Sequence, residues 1–316
     1  MRRICLTLLF LAVLLSGCGG QNEPAPETSP SGSAVFFTDD LGRSVSLEPP
    51  ERVSALIGSF ADIWCLSGGK ESLVAAANDT WTSFDLGLGE DVANLGSITE
   101  PNLEVLMASE PDLILASCNT SADVELLDTF EQAGLTVAYF DVQNVDDYLR
   151  MLRICTRLTG CEENYTQYGT GVQELVAAAI DRQDGSSPTV LCIRATGSSV
   201  KVKGSVDNVL GEMLADLGCI NVADSDGTLL ESLSLEAIIA ADPDYIFVVV
   251  QGSDPTDAQA LLDTTLLSNP AWSNLRAVQE DRFYTLENSL YNLKPNARWG
   301  EAYEKLADIL YPEQDQ

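Results

Sequence analysis

The chain has no histidine in 316 residues. That absence removes Ser-His-Asp and Cys-His nucleophiles, histidine-ligated zinc or manganese, and histidine-ligated haem. Positive charge is scarce too. Lys and Arg number 17 against 48 Asp and Glu, a formal net charge of −31. Such a field repels nucleic acid and anionic lipid, so neither is expected as a main partner. None of the 8 cysteines stands in a CxxC pair, which leaves a zinc knuckle or thioredoxin-like site without support. No paired-carboxylate or Ser-Lys motif stands out. The expectation is a protein that binds, with no catalytic residue, no cofactor and no protein-held metal.

What is present begins at the N-terminus. Arg2 and Arg3 precede an apolar run from Ile4 to Leu15 that is too short to span a bilayer comfortably. The run closes on Leu15-Ser16-Gly17-Cys18, which resembles the lipobox of bacterial lipoproteins. The resemblance implies removal of a signal peptide at 1–17 and acylation of Cys18. Residues 18–34, rich in Pro, Ser, Gly and Glu, hold almost nothing that can pack and read as a flexible tether. The location expected is extracytoplasmic, lipid-anchored to the cell membrane. Of the remaining cysteines, Cys65, Cys155 and Cys192 sit among apolar residues, where a thiol acts as a small buried hydrophobe. Mostly free thiols are expected among these three and Cys118, Cys161 and Cys219.

One stretch occurs twice. Residues 101–116 (PNLEVLMASEPDLILA) and 233–248 (LSLEAIIAADPDYIFV) align with Glu104 on Glu236, Pro111 on Pro243 and Asp112 on Asp244. The spacing is too long for a solenoid unit and suits two lobes of like design. In each copy a polar residue, Asn102 or Ser234, caps a short helix whose first turn holds the glutamate. Leu106 and Ile238 start its apolar face. Proline stops the helix, and a solid apolar run follows, as in a strand covered on both faces. Elsewhere strands and helices alternate densely, which predicts parallel α/β sheets. The division expected is a first lobe over 35–160, a connecting helix over 161–185 and a second lobe over 186–316. Gly169 and Gly171 weaken the N-terminal half of that helix. The fold class is α/β, with two Rossmann-like lobes.

Several motifs resemble the iron-siderophore and cobalamin substrate-binding proteins of ABC importers. They are Asp-Asp-Leu-Gly-Arg-Ser-Val with Pro-Glu-Arg-Val inside 39–53, both copies of the repeat, and Pro-Ala-Trp-Ser-Asn-Leu-Arg-Ala-Val at 270–278. The likeness runs over about residues 36 to 312. It implies the class III periplasmic-binding-protein fold, with a rigid helix between the lobes and a small-molecule ligand in the cleft. It also implies a monomer that docks on an ABC permease, with its ATPase, through Glu104 and Glu236. A surface adhesin or sensor lipoprotein is the competing binding function.

Ligands of open α/β sheets bind beyond the carboxyl ends of the strands. The loops there offer Ser59, Phe60, Trp81, Phe84 and Asn119 in the first lobe. In the second they offer Arg194, Lys201, Lys203, Gln251, Asn288, Tyr291 and Lys294, with Arg298 just inside the last helix. Basic residues are rare in this chain, yet several fall in these loops, which suits a ligand with carboxylates, phosphate or ferric-chelating oxygens. Arg194, directly after a strand, is the strongest single candidate. A ferric siderophore brings its own metal donors and is the favoured ligand; cobalamin or another corrinoid is the alternative.

Overall fold

Each apolar run that follows a Pro-Asp turn becomes the middle of a sheet. The computed structural model describes residues 34–312 apart from 207, 226, 232 and 252–254, and apart from the side chain of 228. The signal peptide, Cys18 and nearly all of the tether lie outside the described residues.

The chain opens with an antiparallel hairpin, β1 (Val35–Thr38) and β2 (Ser44–Leu47). The first lobe follows with β3 (Val53–Ala55), α1 (Gly58–Trp64), β4 (Leu73–Ala76), α2 (Asp79–Ser83) and β5 (Ala93–Asn94). After a two-residue ribbon, β6 (Gly96–Ser97) and β7 (Glu100–Pro101), come α3 (Leu103–Ala108), β8 (Leu113–Ser117), β9 (Val137–Phe140) and α4 (Val145–Thr159). The sheet runs β5-β4-β3-β8-β9 and is parallel throughout. A helical segment from 163 to 180 ends in α5 (Gly171–Ile180). The second lobe holds β10 (Thr189–Ala195), β11 (Val200–Lys203), α6 (Val209–Asp216) and β12 (Ile220–Asn221). It continues with α7 (Leu235–Ala241), β13 (Tyr245–Val250), β14 (Phe283–Leu286) and α8 (Trp299–Leu310). Its sheet runs β11-β10-β13-β14, with β12 also on β10. The strand β11 was expected as loop. It pairs antiparallel with β10 and makes the second sheet mixed.

The two copies of the repeat do the same work. Asn102 accepts from the Val105 N–H at 3.1 Å, and Ser234 accepts from the Ala237 N–H at 3.2 Å. Leu106 and Ile238 are fully buried. Glu110 and Asp242, the residues before the two prolines, both take left-handed backbone, at φ 44° and 40°. Each turn aspartate then clasps the start of the neighbouring strand. The Asp112 carboxylate accepts from the Glu51 and Arg52 N–H groups at 2.9 and 3.0 Å. That of Asp244 accepts from the Thr189 N–H and hydroxyl at 2.8 and 2.7 Å. The aspartates' own N–H groups return a bond to Arg52 O and Thr189 O. Register follows, with Val53 opposite Leu113 and Val190 opposite Tyr245.

The central strands β3, β8, β9, β10 and β13 are buried on both faces, so they read as largely apolar runs. Ile114 and Tyr139 point to an outer cluster of the first lobe, and Leu191 and Val248 to an outer cluster of the second. The opposite faces meet in one cluster. Val53, Leu115 and Phe140 share it with Cys192, Phe247 and Val249, and α4, α5 and α8 fill the space between. The described residues accordingly form one compact unit. Ahead of α5 the helix widens into a π turn, Thr166–Thr170. A Cβ at Gly169 would lie 2.9 Å from the Tyr165 ring, so a side chain there would oblige that ring to shift. The Tyr168 carbonyl accepts from the Tyr148 hydroxyl at 2.7 Å. The six described cysteines are all free thiols.

Burial opposes ionisation of Asp244, but the Thr189 bonds and the nearby Arg276 and Arg282 hold its carboxyl below the usual carboxylate range. A depressed acid stabilises the fold above its unfolded pKa and loses that contribution as pH falls through its folded pKa. Asp244→Asn should therefore lower the unfolding free energy at pH 7 by about 1 kcal/mol. In urea unfolding, the gap from wild type should close as pH drops below about 3.9. A gap unchanged by acid would show that the clasp does not depend on charge.

Candidate functional site

Side chains alternate along a strand, so Ile193 enters the outer cluster while Cys192 and Arg194 turn to the inner face. The antiparallel register sets Lys203 opposite Cys192 and Lys201 opposite Arg194. Cross-strand partners share a face. Three cations thus stand together at one end of the second sheet. This grouping is a product of β11 and is invisible if 194–205 is read as a loop.

Arg194 and Lys203 line a cavity of about 200 Å³, together with Tyr291 and Lys294 from the segment before α8. The first lobe closes the other side with Asn119, just beyond β8, and Gln143, just beyond β9. The cavity therefore lies between the lobes, at the carboxyl ends of strands from both. Asn208 also lines it. Its carbonyl caps α6 by accepting from the Gly211 N–H at 3.0 Å, and its amide donates to Gly204 O at 2.6 Å.

Two of the cations lining the cavity, Arg194 and Lys294, lack an acid partner among the described residues. Arg194 is half-buried, and among the described residues its guanidinium has neither an ion pair nor a hydrogen bond. Lys294, also half-buried, has no such partner. Burial pushes its ammonium below the ordinary lysine range, and the fields of Asp141 and Asp79 offset only part of that. Asp141 itself accepts from the Asn119 amide at 2.6 Å.

Other expected residues sit differently. Phe60 is a core residue, 0% exposed, packed edge-on against Phe140 with centroids 6.2 Å apart. The segment 58–60 is the start of α1, not a loop. Gly58 approaches the Thr80 backbone so closely that a Cβ would lie 2.7 Å from it, and the Asp79 carboxylate accepts its N–H. Ser59 is buried, and its carbonyl accepts from the Asn296 amide at 2.9 Å. Trp81 lies on α2, 39% exposed, and does not line the cavity. Gln251 also lies off the cavity, with its N–H donating to Ala195 O at 2.8 Å. Residues 252–254 beside it lie outside the described residues. Lys201 is exposed. Asn288 keeps its carbonyl oxygen buried and unpartnered.

Tyr291 lines the cavity with its ring, because its hydroxyl donates to Ala302 O at 3.1 Å. Arg298 is tied to Glu301 at 2.6 and 2.9 Å. It lines, with Phe84 and Lys294, a neighbouring cavity of about 250 Å³. Asn296 does not cap the last helix. It holds left-handed backbone at φ 52° and donates across the lobe boundary to Ser59 O and to Asp62 Oδ2 at 2.8 Å. Gln143 was missed, although the strand-end rule that selected Asn119 applies to it equally. Glu104 and Glu236 are exposed in the first turns of α3 and α7.

Residues 53–290 match the model of the periplasmic binding protein family. The chain belongs to that family. This periplasmic binding protein is 26% identical to the iron-uptake system-binding protein of Bacillus subtilis (strain 168), over 97% of its own length and 96% of the relative's. It is 24% identical to the Fe(3+)-citrate-binding protein YfmC of the same organism, over 91% and 90%. The structure of Staphylococcus aureus SirA complexed with staphyloferrin B superposes with a TM-score of 0.65. That match has 21% identity and covers 88% of this chain and 97% of the other. The fold is the class III periplasmic-binding-protein fold. Members of this family are solute-binding proteins.

A buried lysine with a lowered pKa opposes folding while it is charged. Lys294→Met should raise the melting temperature at pH 7 by about 2 °C or more. That advantage should shrink as pH rises toward the ordinary lysine value of 10.5. A melting temperature lower in the variant across the whole pH range would mean that Lys294 supports the fold instead.

Proposed function

We propose that this protein captures a negatively charged ferric chelate, a ferric siderophore, between its lobes and delivers it to an ABC permease powered by its ATPase. The observation that carries the reading is the pairing state of Arg194. In a chain of net charge −31, a half-buried guanidinium without a carboxylate lines the cleft beside Lys203 and Lys294. An unpaired buried cation is costly, and an anionic ligand is what removes that cost.

The metal needs no ligand from the protein. Among the described residues no group of three or more Cys, Asp or Glu is placed to hold one, and the Tyr291 hydroxyl is engaged elsewhere. A chelate that carries its own donors fits such a cleft, and the names of the iron-binding relatives point the same way. A corrinoid fits it less well, since Phe60 is in the core and Trp81 lies apart, leaving few rings on which to stack.

Docking falls to Glu104 and Glu236. A helix that returns between parallel strands runs antiparallel to them, so the first turns of α3 and α7 stand at the level of the cleft mouth. One exposed acid per lobe, at matched positions, suits a permease presenting two basic pockets. The Cys18 pattern supports lipid anchoring on the outer side of the cell membrane, with the protein acting as a monomer.

Ferric citrate titrated into the purified protein should quench tryptophan fluorescence saturably, and Arg194→Ala should weaken binding about 10-fold or more. Equal affinity in the variant would remove the basis of the reading. Glu104→Arg combined with Glu236→Arg should leave binding intact and abolish iron uptake in cells. Normal uptake would exclude the docking role.

A further inference from the structure

Lys294 lines two cavities. On one side is the Arg194 compartment of about 200 Å³, and on the other a compartment of about 250 Å³. Neither alone reaches the roughly 300–1,000 Å³ of a typical small-molecule site, whereas the two together do. Because they share Lys294 as a wall, a ligand in the first is adjacent to the second.

Their chemistry differs. The first compartment is cationic. The second joins half-buried apolar side chains, Phe84 and Leu86 of the first lobe with Leu293 of the second, to two carboxylates, Asp62 and Asp85. Neither acid has an ion pair among the described residues, and Arg298 on the same wall is already held by Glu301. Burial pushes the Asp62 carboxyl up, and the Asn296 amide offsets only part of that. This is the direction expected of an acid that lacks a cation.

We infer that one ligand spans both compartments, with an anionic iron-binding head at Arg194 and an alkylammonium arm that passes Lys294 to reach Asp62 and Asp85. The methylene stem of the arm lies against Phe84 and Leu293. Lys294 sets the polarity, since its ammonium attracts the head and repels an arm whose charge is placed too near. The inference rests on the ferric-chelate reading and specifies the class of chelator.

The test uses ferric complexes of two citrate amides, one with a 4-aminobutyl arm and one with a butyl arm, titrated calorimetrically into the purified protein. The ammonium form should bind about 10-fold more tightly. In Asp85→Asn, and in Phe84→Trp, which fills the compartment, that preference should fall to about 2-fold or less. Arg194→Ala should weaken both complexes and leave their ratio unchanged. No preference in the wild type, or a preference undiminished in both compartment variants, overturns the second compartment while the ferric-chelate reading stands. Failure of both complexes to bind overturns the two together.

Discussion

Two sheets that turn one face each into the same buried cluster cannot move far apart, and the geometry of the cleft follows from that. Trp64 and Tyr148 from the first lobe are fully buried, as are Trp299 and Tyr303 of α8. Exposing a large apolar side chain costs about 1.5–3 kcal/mol. A wide hinge opening would uncover several at once and approach the whole stability of a domain, about 5–15 kcal/mol. The packing of α8 is close enough that Gly300 has no room for a Cβ beside Leu175. Asn296 adds a bonded tie at the cleft side of this core. Ligand entry therefore involves strand-end loops and side chains more than the sheets.

Charge is allocated unevenly. Several of the few cations serve as staples to nearby acids. Arg43 holds Asp39 at 2.8 Å, Arg150 holds Asp40 at 2.6 Å, Arg276 holds Asp244 at 2.9 Å and Lys305 holds Glu287 at 2.8 Å. The exposed pairs among them, such as Lys305 with Glu287, contribute about 0–1 kcal/mol each, so their number says little about stability. Their placement says more. Arg194 and Lys294 have no acid paired to them among the described residues, and both line the cavity at the strand ends. The surplus of acid elsewhere discourages binding at other surfaces.

What the sequence revealed, it revealed through local rules. Caps at Asn102 and Ser234, prolines that end helices and unbroken apolar runs each act over a few residues, so the repeat and the parallel sheets could be read directly. What it hid depends on partners far along the chain. Val200-Lys201-Val202-Lys203 alternates strictly but over only four residues and with two lysines, too short a run to stand out without its pairing with β10. Phe60 follows a strand as a loop residue would, yet the close approach of Gly58 to Thr80 winds that segment into α1 and turns the ring inward. Asn296 carries no local signal of its role, which comes from a left-handed backbone that aims its amide at the first lobe. The strand-end rule located Asn119, Arg194, Lys203, Tyr291 and Lys294 around one cavity. It could not exclude Trp81 or Gln251, because it gives a position along the chain without a side-chain direction.

The absence of histidine bears on selectivity as well as on chemistry. If iron arrives inside a chelator, the protein reads the outside of the complex, namely its charges and its arms. Arg194 and Lys294 then discriminate mainly by penalty. A ligand that fills the cleft without an anion at each cation leaves a desolvated group unpaired, at a cost of about 1–3 kcal/mol or more for each. The uncompensated acids beyond Lys294 would reject a second anionic group on the same argument. Such a site needs no metal–protein bond, so none has to break when the cargo is handed on. The ionic contacts that select the chelate can be exchanged one at a time for water or for groups of the receiving permease.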